Sequence, residues 1–405
     1  MLGEIINSIK SNKARSFMTG LGIFWGVLIL IILVGIGRGF ESGVFKMFNG
    51  FAKKTIYVFG GETSVPFKGF PIGRKIEFNS KDVRDIRAVI PEISNISQET
   101  TQNMVASKDD KIDRFDVKGV TDSYFQIKLL SVLHGRVINS LDYRNDRKTA
   151  LIGEDIALNL FNKKNVVGER IVLGGVAFVI TGVIKNNLFN SFESRLIYIP
   201  YSTFSIYFNK GDKSKLLLLS LNNGANSSEV QKRLQFICGN KFNFNKDDKR
   251  AIIFNNLDEQ LKAFSSFFNG LRAFLWFMGL SSLFGGVIGV ANIMYSVAKE
   301  RTKEIGIRKA VGAKNKDIRK LFIAEAILLT SIAGYMGLII GHFVLYFIGY
   351  YFKVLNVSEI FESPKIDLKI ALAAIIILVT SGTLAGYIPA VYASKLNPVD
   401  ALRQE

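Results

Sequence analysis

Four apolar runs constrain this chain more than any other feature in it. They cover residues 17–36, 274–297, 321–350 and 369–393. Each has about the 20 residues or more that cross a bilayer as a helix at about 1.5 Å per residue. Lipid offers the backbone no hydrogen-bond partners, so a helix is the form each run must take. Lys10, Lys13 and Arg15 precede the first run, as they would precede the apolar core of a signal peptide. The run is too long for that, and Gly35-Ile36-Gly37-Arg38 offers no small-residue cleavage site. It reads as a retained signal anchor.

The flanking charges predict the orientation. The amino-terminal segment and residues 299–320 are rich in Lys and Arg, while the 351–368 connection sets Lys353 and Lys365 against Glu359, Glu362 and Asp367. The positive-inside bias then predicts cytosolic termini and a cytosolic basic loop. The expected membrane helices are 17–36, 272–297, 321–350 and 369–393. A large extracytoplasmic α+β domain, 37–271, is inserted between the first and second of them. The remaining parts are a segment at 1–16, a cytosolic loop at 298–320, a short external loop at 351–368 and a tail at 394–405. Leu2, Ile5, Ile6 and Ile9 give the 1–16 segment the spacing of an amphipathic helix lying in the lipid interface.

A formal charge of +18 and a pI near 9.7 argue only weakly for nucleic acid. The basic residues are scattered, and no finger, basic-aromatic or helix-turn-helix pattern is present, so no nucleic-acid partner is expected. Cys238 is the single cysteine. The external block must therefore fold on its core alone, which a block of about 230 residues is able to do.

That block alternates strands and helices. Residues 55–59, 150–152, 171–173, 176–180, 196–199, 215–221 and 251–254 read as strands, and Gly174-Gly175 reads as a two-residue hairpin turn. Ser80 is placed to cap a helix carrying Val83, Ile86 and Ile90 on one face. Helices are also expected at 154–161 and at 229–237, the latter ended by Gly239. Residues 60–75, with Pro66, Pro71 and several glycines, read as a mobile loop. His134 reads as a turn residue.

At the root of the block two stripes extend the neighbouring spans. Phe40, Val44, Met47/Phe48 and Phe51 follow the first, while Leu257, Leu261, Phe264, Phe268 and Leu271 precede the second at coiled-coil spacing. Asn256 and Glu259 resemble a capping box at the start of the latter. Two stalk helices, about 38–53 and 256–271, are expected to pack on each other. Within the spans, Gly22 and Gly26, Gly285 and Gly289, Gly337 and Gly341, and Gly382 and Gly386 are each four apart, which predicts a tight bundle. Polar residues inside the spans are few: Asn292, Glu325 and His342. Glu325 is expected to pair with Arg319 or reach the interface.

Between the second and third spans lies the basic loop, with nine Lys or Arg residues from Lys299 to Lys320. Ile305, Gly306, Ile307 and Val311 interrupt the charge. Glu304 and Arg308 stand four apart in the favourable acid-first order, and Gly312 follows as a C-terminal cap. A short ordered helix is predicted, with Glu304, Arg308, Ile307 and Val311 as a docking surface. No G-x-x-x-x-G-K-[ST] phosphate loop, G-x-S-x-G or H-E-x-x-H occurs, and His134 and His342 fall in different parts of the chain. No catalytic, cofactor or metal residue is therefore assigned, and the chain is not expected to be its own ATPase.

These motifs resemble a family. Lys299 through Ala313, with Glu304-Ile305-Gly306-Ile307-Arg308-Lys309-Ala310-Val311-Gly312 at its heart, looks like the signature loop of FtsX-like ABC transporter permeases. Asn292-Ile293-Met294 before it and Phe322-Ile323-Ala324-Glu325-Ala326 after it also match. So do Ala14-Arg15-Ser16-Phe17-Met18-Thr19 near the start and Pro389-Ala390 with Asn397-Pro398-Val399-Asp400-Ala401 at the end. Val117-Lys118-Gly119-Val120-Thr121, Ala150-Leu151-Ile152-Gly153-Glu154 and Val166-Val167-Gly168-Glu169 resemble the periplasmic core domain of the MacB type. The resemblance spans essentially the whole chain.

The resemblance implies a permease subunit that transmits motion from a cytoplasmic ABC ATPase to the external domain and so drives export or extraction of an antibiotic, peptide or lipoprotein. MacB proper carries its ATPase on the same chain, and this sequence departs from that pattern. ATP and Mg2+ are then expected on a separate partner subunit and no cofactor on this chain. A second permease copy or homologue is implied, and a periplasmic adaptor and outer-membrane channel are compatible partners. The alternatives are an FtsX-like regulator of an extracytoplasmic enzyme such as a cell-wall hydrolase, and a membrane-tethered binding domain without an ATPase.

Overall fold

The computed structural model describes residues 13–48, 50–52, 54–186, 192–208, 211–355 and 368–397. In chain order the elements are α1 (Lys13–Met47), β1 (Thr55–Gly60), α2 (Ser80–Val89), β2 (Ile93–Lys108) and β3 (Lys111–Val120). There follow α3 (Tyr124–Ile127), β4 (Val132–Gly135), α4 (Ser140–Arg144), β5 (Thr149–Gly153), α5 (Glu154–Phe161), β6 (Arg170–Leu173) and β7 (Val176–Ile184). Next come β8 (Leu196–Pro200), α6 (Tyr201–Tyr207), β9 (Leu216–Leu221), α7 (Ser227–Lys241) and β10 (Ile252–Asn256). The chain closes with α8 (Leu257–Glu300), α9 (Thr302–Ala310), α10 (Asn315–Val354) and α11 (Leu368–Lys395). It divides into two compact units, 1–44 with 266–405 and 45–265. Residues 1–12 of the expected 1–16 amphipathic helix, most of the 351–368 loop and the end of the 394–405 tail lie outside the described residues.

The first unit is helical. α1, α8, α10 and α11 are each long and apolar enough to cross a membrane. On α1, Ile23, Val27, Leu30, Ile31 and Val34 recur every three or four residues and are all buried. They share a core with Leu283, Val290 and Met294 of α8, Phe322 and Ala326 of α10, and Leu378, Ala385 and Ala390 of α11. Glycine sets how closely these helices approach. A Cβ at Gly22 would stand 3.1 Å from the Gly286 Cα, and one at Gly26 would stand 2.8 Å from the Leu283 Cα. Gly337 and Gly341 meet α1 in the same way, and Gly382 and Gly386 meet α10.

The expected pair Gly285 and Gly289 does not take part, since nothing lies within 4 Å of a Cβ at either position. The contact falls on Gly286 and Gly279 instead. One residue is about 100° of helical rotation, enough to move a glycine from the packed face to the open one.

The second unit is a mixed sheet in the order β10-β1-β9-β2-β3-β8-β5-β7-β4, with β6 pairing β2 and β7. The β3–β8 and β5–β7 pairs are parallel. Ile56, Val58, Leu217, Leu219 and Ile252 form one core with Ile86 of α2 and with Val230 and Leu234 of α7. Ala150, Ile152, Ile171, Phe178 and Ile180 form another with Ile156 and Leu160 of α5 and Phe204 of α6. The expected α+β domain between the first two membrane-length helices is present. Gly174 and Gly175, at φ of +51° and +90°, make the β6–β7 turn, in the left-handed region that such a hairpin requires.

Several local expectations are corrected. Asn79 rather than Ser80 caps α2, accepting from the Asp82 amide while Asp82 accepts from the Asn79 amide. α7 runs through Gly239, which packs on the backbone of Phe244. His134 lies in β4 beside a bulge, paired with Val183. Within the stretch 60–75, Glu62 bridges to Lys75 and Phe67 to Phe70. Asp248 holds its base by accepting from Ser64 N at 2.6 Å, Ser64 Oγ at 2.7 Å and Val65 N at 3.1 Å.

Candidate functional site

The basic loop folds as the sequence spacing requires. α8 stops at Glu300, Arg301 makes the bend, and α9 follows. Ile305 and Ile307 are two residues, about 200°, apart on α9 and so face opposite ways. Ile305, 4% exposed, shares a core with Met294, Ala298, Ile318 and Phe322. Gly306 beside it is also buried. Ile307 is 51% exposed and Val311 85%. With Arg308, Ala313, Asp317, Ile318 and Leu321 they line an open groove of about 470 Å³. Arg308 Nη2 donates to Glu304 Oε1 at 2.9 Å, the expected i,i+4 pair. Gly312, at φ +105°, closes the helix while the Ala313 amide reaches back to the Arg308 carbonyl at 3.0 Å.

Contacts that carry no local sequence signal fix the inner side of α9. Lys309 Nζ donates to the Ser394 and Leu396 carbonyls at 3.0 and 2.7 Å, at the otherwise unsatisfied end of α11. Arg319 Nε donates to Ser394 Oγ at 2.9 Å. Glu325 pairs with Arg301 at 3.3 Å. The Lys299 ammonium sits 4.9 Å from the Tyr295 ring centre, and Tyr295 packs on Tyr392 of α11. The helix is therefore locked on one side and open on the other.

The stalk residues separate into two groups. In the first unit, Phe40 and Phe268 meet edge to face at 5.8 Å, and Arg272 Nη2 donates to both Glu41 oxygens at 2.7 Å. In the second unit, Phe48 and Phe264 lie 5.9 Å apart, Leu257 is buried, and Val44's neighbour Phe45 begins the unit. Val44 and Leu261 are half-buried. The first stalk helix ends at Met47, short of the expected residue 53. Phe51 has left the helix: it bridges Lys128 and packs on Tyr57 at 6.3 Å. Asn256 caps α8 through the Asp258 and Glu259 amides at 3.2 and 3.4 Å, but the Glu259 carboxylate takes Ser228 Oγ instead of closing a capping box.

Most buried charge in the second unit is ion-paired, while Asp248 is held by neutral donors. Lys128 holds Glu193, and Lys118 holds Glu99 at 2.5 Å. Burial raises the Tyr57 and Tyr124 phenols well above their ordinary range, and the nearby Glu99 and Glu193 carboxylates push them further. Both tyrosines are therefore neutral packing groups. Among the described residues no cluster of three or more His, Cys, Asp or Glu side chains converges as a metal site would.

Comparisons with known proteins agree with this architecture. A profile of the MacB-like periplasmic core domain matches residues 16–237, and one of the FtsX-like permease C-terminal region matches residues 276–398. The chain is 30% identical over 400 residues to the macrolide export ATP-binding/permease protein MacB of Photorhabdus laumondii, covering 97% of this chain and 59% of that one. It is 27% identical over 403 residues to the ABC transporter permease YknZ of Bacillus subtilis, covering 99% and 98%. A solved structure, the periplasmic region of MacB from Actinobacillus actinomycetemcomitans, aligns with 54% of this chain and 95% of its own at 17% identity and a TM-score of 0.45. The chain spans about 60% of the length of the MacB relatives it matches. Four membrane-length helices and a periplasmic core domain fit an inner-membrane protein.

Proposed function

The chain belongs to the MacB-type, FtsX-like family of ABC transporter permeases, and on that footing we propose that it passes the nucleotide cycle of a separate cytoplasmic ATPase to its external domain. In this reading both termini and α9 are cytosolic, and ATP and Mg2+ bind the ATPase rather than this chain. A second permease copy or a homologue completes the membrane unit. The similarity to YknZ, nearly all of which the chain covers, supports an ATPase on another polypeptide.

One observation carries the reading. α9 shows Ile307 and Val311 to its surroundings beside the Glu304–Arg308 pair, while Ile305, Arg301 and Lys309 tie its other side into the bundle. A loop that only set topology would need positive charge and no ordered apolar register. A partner whose two nucleotide states hold this surface differently would shift the helices locked to it. α1 and α8 each run as one helix from the bundle sequence into the external-domain sequence, so they are the covalent path for that shift. The output in this reading is export or extraction of an antibiotic, peptide or lipoprotein, and the relatives named for macrolide and syringafactin export support export. A periplasmic adaptor and an outer-membrane channel would continue such a route. The test is Arg308→Glu in a complex reconstituted with the ATPase. Stimulation of ATP hydrolysis should fall while the permease keeps its thermal unfolding profile, and unchanged stimulation would remove the docking role.

A further inference from the structure

We propose that the free edge of β10, with the adjoining face of α7, is a docking groove for an extended acidic segment of a partner protein, which joins the sheet as one further strand. Among the described residues β10 ends the sheet order, and β1 is its strand partner. The Gly61 amide donates to the Ala251 carbonyl at 2.9 Å. Antiparallel alternation then turns the backbone groups of Ile252 and Phe254 toward the open edge.

The groove beside them has a volume of about 740 Å³. Its two walls are apolar where a strand would lie: Phe236 of α7 is 55% exposed and Ile253 of β10 is 52% exposed. Ile252 points into the core shared with α7, so Ile253 stands on the opposite face of the sheet, across from Phe59. An added strand would set alternate side chains against Phe236 and against Ile253, the arrangement by which strand addition gains specificity while the backbone supplies hydrogen bonds.

The charge of the groove selects the occupant. Lys232, Lys246 and Lys249 line it against the single carboxylate of Asp247. The neighbouring Asp248 is turned inward onto Ser64, Val65 and Arg250. Gln235 donates to the Lys246 and Asp248 carbonyls at 3.1 Å each, and its buried Oε1 has no donor among the described residues. Lysines also guard exposed edges against unwanted pairing. A guarded edge has no use for two half-exposed apolar side chains flanking it.

The test uses the full chain in nanodiscs and three fluorescent eight-residue peptides: one alternating Val and Glu, one alternating Val and Lys, and the Val/Glu peptide N-methylated at every second residue. The Val/Glu peptide should bind at least about tenfold more tightly than the Val/Lys peptide, and the N-methylated form should lose that advantage. The exposed double variant Lys246→Glu/Lys249→Glu should reverse the charge preference with unchanged thermal unfolding. Absence of binding, equal binding of both charges, or binding indifferent to N-methylation would overturn the proposal. A photocrosslinking residue in place of Phe236 in native membranes distinguishes the occupants. Capture of an acidic segment of a different chain supports the proposal, whereas capture of a second copy, of lipid alone or of nothing overturns it.

Discussion

Replacing Ile307 and Val311 together by Ala tests the α9 surface most directly. The change deletes three carbons from the first side chain and two from the second. At about 0.8 kcal/mol per buried carbon, full burial of all five would be worth ~4 kcal/mol. A partner gains only what the free chain leaves open, which is 51% of Ile307 and 85% of Val311. Scaled in that way, the lost docking energy is ~2.5 kcal/mol, or roughly 60-fold in affinity. The assay is a titration of the ATPase with the reconstituted permease, read as stimulated ATP hydrolysis. The half-maximal permease concentration should rise by about that factor, with thermal unfolding of the permease within about 0.5 kcal/mol of the parent. Ile305→Ala is the contrasting variant. Ile305 is 4% exposed and sits in the bundle core. Its truncation should cost about 2–4 kcal/mol of stability instead. An unmoved half-maximal concentration in a folded double variant would refute the docking argument.

Three further outcomes are expected. Gly286→Leu should destabilise the bundle by about 1–3 kcal/mol or more in detergent thermal unfolding, because its Cβ would lie 2.7 Å from Gly22 backbone atoms. Gly285→Leu, with open space around it, should leave unfolding unchanged. Burial raises the Asp248 carboxyl, but its bonds from Ser64, Arg250 and Val65 outweigh that and hold it below its ordinary value. The stability it contributes is then present above the unfolded-state pKa of about 3.9 and is lost as pH falls through the folded-state value. Hydrogen exchange at Ser64 and Val65, corrected for intrinsic rates, should therefore quicken in that acid range. It should be fast and lack this transition in Asp248→Asn, and identical profiles would count against the tie. Finally, burial, reinforced by nearby Asp82, pushes the Cys238 thiol up to about 12. It should resist thiol reagents at pH 8 until the protein is unfolded, and ready labelling of the native chain would contradict its burial.

What was legible in the sequence was whatever a short periodic pattern determines. The membrane helices follow from apolar length, and the sequence spacing placed α5 at 154–161 as observed. Ile305 and Ile307 fall on opposite faces of α9 because helical rotation over two residues demands it. The longest strand carries no such pattern. β2 reads Ser94, Asn95, Ser97, Gln98, Glu99, Thr100, Thr101, Gln102 and Asn103 with little apolar alternation. Its inner positions are satisfied by polar partners far along the chain: Gln98 by Tyr201, Ser97 by Thr121 and Glu99 by Lys118. The same limit hid Lys309 and Arg301 at the candidate site, since their partners lie 85 or more and 24 residues away. A four-residue glycine spacing identifies a pair but not the face it occupies, so it points to Gly285 although the contact falls on Gly286.

The external unit is an insertion whose two ends are neighbours. β1, just after its start, and β10, just before its exit through α8, pair antiparallel from Ile56 opposite Asn256 to Gly60 opposite Ile252. Paired strands lie about 4.8 Å apart, so leaving and rejoining the membrane helices costs little loop-closure entropy, however long the inserted sequence is. A cassette joined at such a seam is exchangeable. One membrane bundle could carry very different external domains through evolution, or by graft between β1 and β10, without redesign of its helices.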